Sequence, residues 1–216
     1  MARVAIFGGH GKVALHLERL LADAGHDTTA LIRNPDHADD VRAAGATPVV
    51  ADVEHLDADA LAKLLAGHDA IVWSAGAGGG NPDRTYAVDR DAAIASMDAA
   101  RKAAVQRYVM VSYFGAGPDH GVAPDNPFYA YAEAKAAADA HLRGTHLDWT
   151  ILGPSGLTMD PPAGRIEVGA SSGSTVSRAD VAAVAAAVLD RRHTVGRTIE
   201  FNTGDIPIEE ALDAIG

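Results

Sequence analysis

Tyr131 and Lys135 stand four residues apart in the alanine-rich run FYAYAEAKAAADAHL, residues 128–142. Side chains at i and i+4 share one helical face, about 6 Å apart at Cβ. At that separation an ammonium can sit beside a phenol and lower its pKa, which is what a tyrosine needs to exchange protons near neutral pH. The same spacing also joins unrelated surface residues, so the pair has meaning only in the context of the rest of the chain. Tyr129 is the alternative phenol, but Glu133 follows it by four, and a carboxylate raises a neighbouring phenol's pKa. Tyr129 therefore reads as packing or as a pocket wall.

A second constellation opens the chain. After the strand-like RVAIF come Gly8, Gly9, His10, Gly11, Lys12, Val13 and Ala14. Read as G-x-x-G-x-x-A between a strand and a helix, this loop lets backbone N–H groups approach a pyrophosphate at the positive end of the helix. Ala14 falls where helix and strand need a small residue. The next strand ends Leu31-Ile32-Arg33-Asn34-Pro35, with Arg33 22 positions after Gly11. An NAD site usually places an acid there to accept from the ribose 2′-hydroxyl. A guanidinium pairs instead with a 2′-phosphate, so Arg33 and Asn34 point to NADP, with NAD as the alternative. Asp52 and Val53 fall where an adenine edge would lie; Asp52 could equally cap the following helix.

These residues need elements to hold them. Candidate strands are 3–7, 28–32, 47–51, 70–74, 107–112, 148–152 and 198–202, and candidate helices are 11–24, 36–44, 58–66, 84–104, 128–143, 178–191 and 208–215. Strands such as VAIF and YVMVS are apolar on both faces, as in a parallel sheet covered by helices. The βαβα alternation predicts a Rossmann-like, doubly wound parallel α/β sheet in a single domain over residues 1–216. Loops 76–82, 113–127 and 153–175 are expected to form the substrate cleft.

Composition narrows the function. Hydrophobic residues make up 48% and charged residues 22% of the 216, as in a soluble globular domain. A net charge of −11 argues against non-specific binding to nucleic acid or an anionic membrane surface. There is no cysteine, and the ten histidines show no H-x-x-x-H or H-E-x-x-H spacing, so no metal site is expected. MARVAIF runs straight into a strand, and no stretch of 18 apolar residues occurs; neither a secretory leader nor a membrane span is expected, and the cytoplasm is the default. Ser177 and Asp180 read as a capping box, and Trp73 and Trp149 as core.

With GGHGKVA, LIRNP, ADV, VWSAGAG, RYVMVSYFGA, YAEAK, LDWTILGPSGLT and VSRADVAAV, the chain resembles, over nearly its whole length, an atypical short-chain dehydrogenase/reductase. The likeness is to the NAD(P)-binding, NmrA-like and flavin-reductase-like group, which is also epimerase-like. The resemblance implies that Ser74, Ala75 and Gly76 line the cofactor, that Pro154, Ser155 and Leu157 touch it, and that Ser112, Tyr131 and Lys135 face the nicotinamide as the catalytic set. It further implies hydride transfer to a small carbonyl, quinone or flavin-type acceptor by a monomer or homodimer. The alternatives are a redox-sensing regulator with little catalysis and a sugar epimerase, the latter short of the chain length that a nucleotide-sugar domain needs. Two positions depart from the pattern: Gly153 stands where an arginine is usual, and Tyr113 where a second serine is common.

Overall fold

The computed structural model describes residues 1–215. Seven strands run parallel: β1 (Arg3–Phe7), β2 (Asp27–Ile32), β3 (Thr47–Val50), β4 (Ala70–Trp73), β5 (Arg107–Val111), β6 (Asp148–Pro154) and, later in the chain, β10 (Arg197–Thr203). They lie in the order β3-β2-β1-β4-β5-β6-β10. β7 (Gly156–Thr158) and β9 (Thr175–Ser177) pair with each other in a small separate sheet, while β8 (Arg165–Val168) runs antiparallel to both β10 and β11 (Ile206–Pro207). This is the Rossmann-like architecture expected, extended by an antiparallel edge.

Helices cover both faces: α1 (Lys12–Asp23), α2 (Ala38–Ala43), α3 (Ala58–Leu65), α4 (Pro82–Thr85), α5 (Ala93–Lys102), α6 (Tyr129–Arg143), α7 (Arg178–Leu189) and α8 (Ile208–Asp213). β1 shows why both are needed. Val4 and Ile6 join the core with α1 and α7, whereas Ala5 and Phe7 join the opposite core with α3, α5 and α6. A strand buried on both sides must read as continuously apolar, and this one does.

Register places the site. Phe7 lies opposite both Leu31 and Trp73, so the loops after β1, β2 and β4 leave the sheet at one edge. The chain reverses direction of winding between β1 and β4, and a crevice at the carboxyl ends of such strands is the ligand-binding place of open α/β sheets.

Two expectations are corrected. The single helix over 84–104 is instead α4, a π-helical segment from Tyr86 to Ala92, and α5. The widened turn carries Asp89, which is buried and accepts from the Ala77 N–H at 3.0 Å. A π-bulge has no periodicity signature of its own, and such bulges tend to lie at functional sites. The stretch 153–175 is also not a plain loop, since it contains the end of β6, β7 and β8. Ser177 does cap α7 through the Asp180 N–H at 3.0 Å, but Asp180 completes no reciprocal box. Its carboxylate takes the Ala163 and Gly164 N–H groups at 2.9 and 2.8 Å, tying the chain before β8 to α7.

Candidate active site

Gly8 has φ +76°, and a Cβ there would lie 2.6 Å from the Ala75 Cα; a Cβ on Gly9 would lie 2.5 Å from that of Ala30. The loop is thus pressed against β2 and β4, and only glycine allows the approach. α1 begins at Lys12 with no side chain capping its first turn. An exposed backbone cradle at a helix N-terminus, beside a cleft of about 300 Å³ lined by Gly8, Gly11, Ser74 and Gly76, fits a dinucleotide's phosphates. His10 lies at the lip, stacked on His37 at 3.6 Å between ring centroids and 2.8 Å from Asp40 Oδ2. Lys12 is exposed, and the Val13 side chain points into the core, so neither lines the cleft with its side chain.

The far end of this cleft holds Arg33, Asn34, Asp52 and Val53. Glu54, which sequence reasoning missed, sits among them. Its Oε1 accepts from Arg33 Nη1 at 3.0 Å and from Arg84 Nε and Nη2 at 3.1 and 2.9 Å. Two guanidinium groups therefore meet one carboxylate on the rim where a 2′-substituent would lie. Asn34 caps the 3-10 turn at 35–37 through Asp36 N–H. Asp52 does not cap α3; Asp57 does, through Ala60 N–H at 2.8 Å, and Asp52 instead pairs with His55 Nδ1 at 2.9 Å.

A second cleft, of about 500 Å³, opens past the ends of β5 and β6. Ser112, Tyr131, Pro154, Ser155 and Leu157 line it, so the last three sit with the catalytic candidates and not with the glycine loop. Tyr113, Phe128 and Tyr131 form an aromatic trio, with centroids 5.1–5.6 Å apart. The other side of Tyr131 borders a hollow of about 410 Å³ beneath Gly78–Gly80. Tyr129 lies off to the side, its ring edge-on to His120 at 5.8 Å, and His120 pairs with Glu133 at 2.8 Å.

The absent arginine at 153 has an explanation. A Cβ on Gly153 would lie 2.9 Å from Glu200 Cγ and 3.2 Å from the Tyr113 carbonyl. Glu200 occupies that space and accepts the Gly115 N–H at 2.7 Å. Here a carboxylate holds the turn after β5.

The electrostatics correct one expectation. Lys135 does not make Tyr131 more acidic. Burial pushes the Tyr131 phenol well above its ordinary value, with Asp89, Asp139 and Tyr113 adding to the rise. The Lys135 ammonium is itself buried, donating to the Val111 carbonyl at 3.0 Å and lying 3.1 Å from Met110 Sδ. Its own pKa is lowered by burial, against the pull of Asp139 and Asp89. The shared helical face was legible; that the lysine would be drawn under β5 was not.

Ser112 is likewise engaged, its Oγ hydrogen-bonded to Asp139 Oδ2 at 2.6 Å. Asp139 is fully buried and follows Lys135 by four, so the i, i+4 rule that found Tyr131 could have found it. Asp89 offered no comparable signal, because the π-bulge turns it inward. Among the described residues, no cluster of His, Asp or Glu is arranged to hold a metal ion.

Comparison with known proteins accords with this geometry. A family model described as NAD(P)H-binding matches residues 8–192. The chain is 33% identical over 214 residues to the uncharacterized sugar epimerase YhfK of Bacillus subtilis, covering 97% of this chain and 98% of that one. A Bacillus halodurans protein, described provisionally as an NAD-dependent epimerase/dehydratase, superposes with a TM-score of 0.91 at 34% identity, covering 99% of each chain. The oxidoreductase ylbE of Lactococcus lactis superposes at 0.88 with 28% identity, covering 99% of this chain and 96% of that one.

Proposed function

This chain belongs to the NAD(P)H-binding family, and from that premise we propose that it is a reductase that uses NADPH in preference to NADH. Its acceptor is a small carbonyl, a quinone or a flavin-type molecule. The observation that carries the reading is the convergence of Ser112 and Tyr131 on one apolar-walled cleft, with Lys135 beneath it, at the same sheet edge as the Gly8 cradle. Bound there, the dinucleotide supplies hydride.

The rest is the work of this chain's residues. The Gly8–Gly11 backbone and the first turn of α1 hold the phosphates. Arg33, helped by Arg84, takes the 2′-phosphate once Glu54 gives way. The hydroxyls of Ser112 and Tyr131 bond the reacting oxygen of the acceptor. Phe128, Tyr113 and Leu157 give that acceptor a flat apolar bed and keep water away, as suits a conjugated molecule. The 500 Å³ available is ample for one ring system.

One observation favours a second reading. A Tyr131 phenol made less acidic by burial suits a wall better than a proton carrier, as in a protein that binds NADPH and senses redox state. The test is NADPH oxidation by purified protein offered quinones, flavins and small carbonyls. Turnover above the buffer rate on any of them removes the pure sensor, whereas tight NADPH binding with none removes the reductase.

A further inference from the structure

Beneath the second cleft lies a charge cluster that the reductase reading leaves without a role. Asp139, Lys135 and Asp89 are all buried, two carboxylates about one ammonium. Lys135 can neutralise only one of them. Asp89 is compensated by the Ala77 N–H. Asp139 has one oxygen bonded to Ser112 Oγ, while its Oδ1 is buried with no partner at all. An ionised carboxylate with a dry, unpartnered oxygen is among the most costly arrangements a protein can contain, and taking up a proton removes most of that cost. Burial, which is the largest effect, favours protonation of Asp139; Lys135, the Ser112 hydrogen bond and Arg143 on α6 oppose it. The other titratable groups facing it are Asp89 and the phenols Tyr108, Tyr113 and Tyr131, none of which brings a positive charge.

We propose that Asp139 holds a proton in the resting protein and acts through Ser112, which hands a proton to the acceptor atom seated in the second cleft. The proposal rests on the reductase reading for the identity of that atom, and on the Ser112–Asp139 contact for the rest. Ser112 has one hydroxyl proton. With an ionised Asp139 that proton is spent on the carboxylate, and Ser112 can only accept from a ligand. With a neutral Asp139 the carboxyl donates to Ser112 Oγ, and the serine proton is free to point into the cleft. Only the second arrangement suits a carbonyl or quinone oxygen.

The step balances. As a carbonyl carbon gains hydride, delivered by the reduced dinucleotide, the C=O π pair moves onto oxygen. That oxygen forms an O–H bond with the Ser112 proton, Ser112 Oγ forms one with the Asp139 proton, and Asp139 is left as a carboxylate near Lys135. No residue of the chain is oxidised or reduced. Asp139 touches no substrate, so its part is that of a positioning residue and proton store.

The experiment begins with the ligand-free protein, so that its outcome does not depend on dinucleotide binding. The infrared C=O stretch of a protonated carboxyl is recorded at neutral pH in a Glu18→Gln background, because Glu18 is the other buried acid with unpartnered oxygens. A band is expected there that vanishes on adding Asp139→Asn and moves to higher frequency on adding Ser112→Ala, which removes its hydrogen-bond partner. The second variant keeps the test decisive if Asp139→Asn fails to fold. No protonated-carboxyl band, or one that neither variant alters, overturns the proposal. With a substrate from the panel, Asp139→Asn should lower turnover about 10-fold or more and flatten its pH profile, and Asp139→Glu should restore both in part. An unchanged profile also overturns it. NADPH binding, read by fluorescence on the same samples, separates the two readings, since its absence sinks the reductase without affecting the infrared result.

Discussion

Arg33 Nη1 lies 3.0 Å from Glu54 Oε1, so the residue that points to NADP is already paired to a carboxylate on the cleft rim. The Arg33 side chain is 56% exposed, and such a half-solvated pair is weak enough to exchange for a phosphate. NADPH should bind more tightly than NADH by about 1–3 kcal/mol. Arg33→Ala should erase most of that gap and leave NADH binding nearly unchanged. Glu54→Gln should widen it, because a competing anion is gone. Calorimetry with both dinucleotides checks all three; equal affinities for the unmodified protein count against Arg33.

Tyr131 and Ser112 share the second cleft, but burial has made the phenol a poorer acid. Tyr131→Phe should therefore cost about 10-fold in kcat, the worth of one hydrogen bond to the reacting oxygen, with dinucleotide affinity unmoved. Tyr129→Phe is the control and should be silent. A kcat loss on Tyr129→Phe equal to that on Tyr131→Phe would sink the assignment.

Lys135 bridges α6 and β5 from a site that is 1% exposed. Lys135→Ala should destabilise the fold by roughly 3 kcal/mol, since it leaves a cavity and removes the cation beside Asp89 and Asp139. Lys135→Met, which fills the space, should cost less if Asp139 is already neutral. Urea unfolding of the two variants compares the terms.

Glu18 on α1 is fully buried with neither oxygen partnered, and burial pushes its carboxyl from an ordinary 4.5 up to about 8, against a smaller pull from Arg19. The folded state then holds a proton that the unfolded chain releases near its ordinary value. Stability from this group is full below about pH 4.5, falls as pH rises toward 8, and is flat above that. The loss across that window is of order 4 kcal/mol. Glu18→Gln should flatten the dependence and raise the urea midpoint at pH 8. A midpoint whose slope between pH 5 and 8 is the same in both proteins would refute it.

Gly8→Ala places a Cβ against the Ala75 backbone at a residue with φ +76°. The strain should cost about 1–3 kcal/mol of stability and weaken dinucleotide binding at least 10-fold, because relief of the clash moves the cradle. A thermal melt with and without NADPH reads both effects.

By itself the sequence determined the seven strands of the parallel sheet, their alternation with helices and the glycine cradle, but not the short strands β7, β8, β9 and β11. Each rests on local, periodic signals: apolar runs of strand length, helical spacing, and glycines where a strand meets a helix. It also placed Tyr131 and Lys135 on one helical face, and Arg33 at the end of β2. What those side chains would meet was decided by packing between segments far apart in the chain. Glu54 reaches Arg84 across 30 residues, and Asp139 reaches Ser112 across 27. The π-bulge turns Asp89 inward, and Glu200 fills the space over Gly153. Burial, which sets the proton affinity of Tyr131, Lys135 and Asp139, belongs to no single segment. It exists only once β5, α6 and the 86–92 turn close on one another, and so only the tertiary structure could reverse the expected effect of Lys135 on its tyrosine.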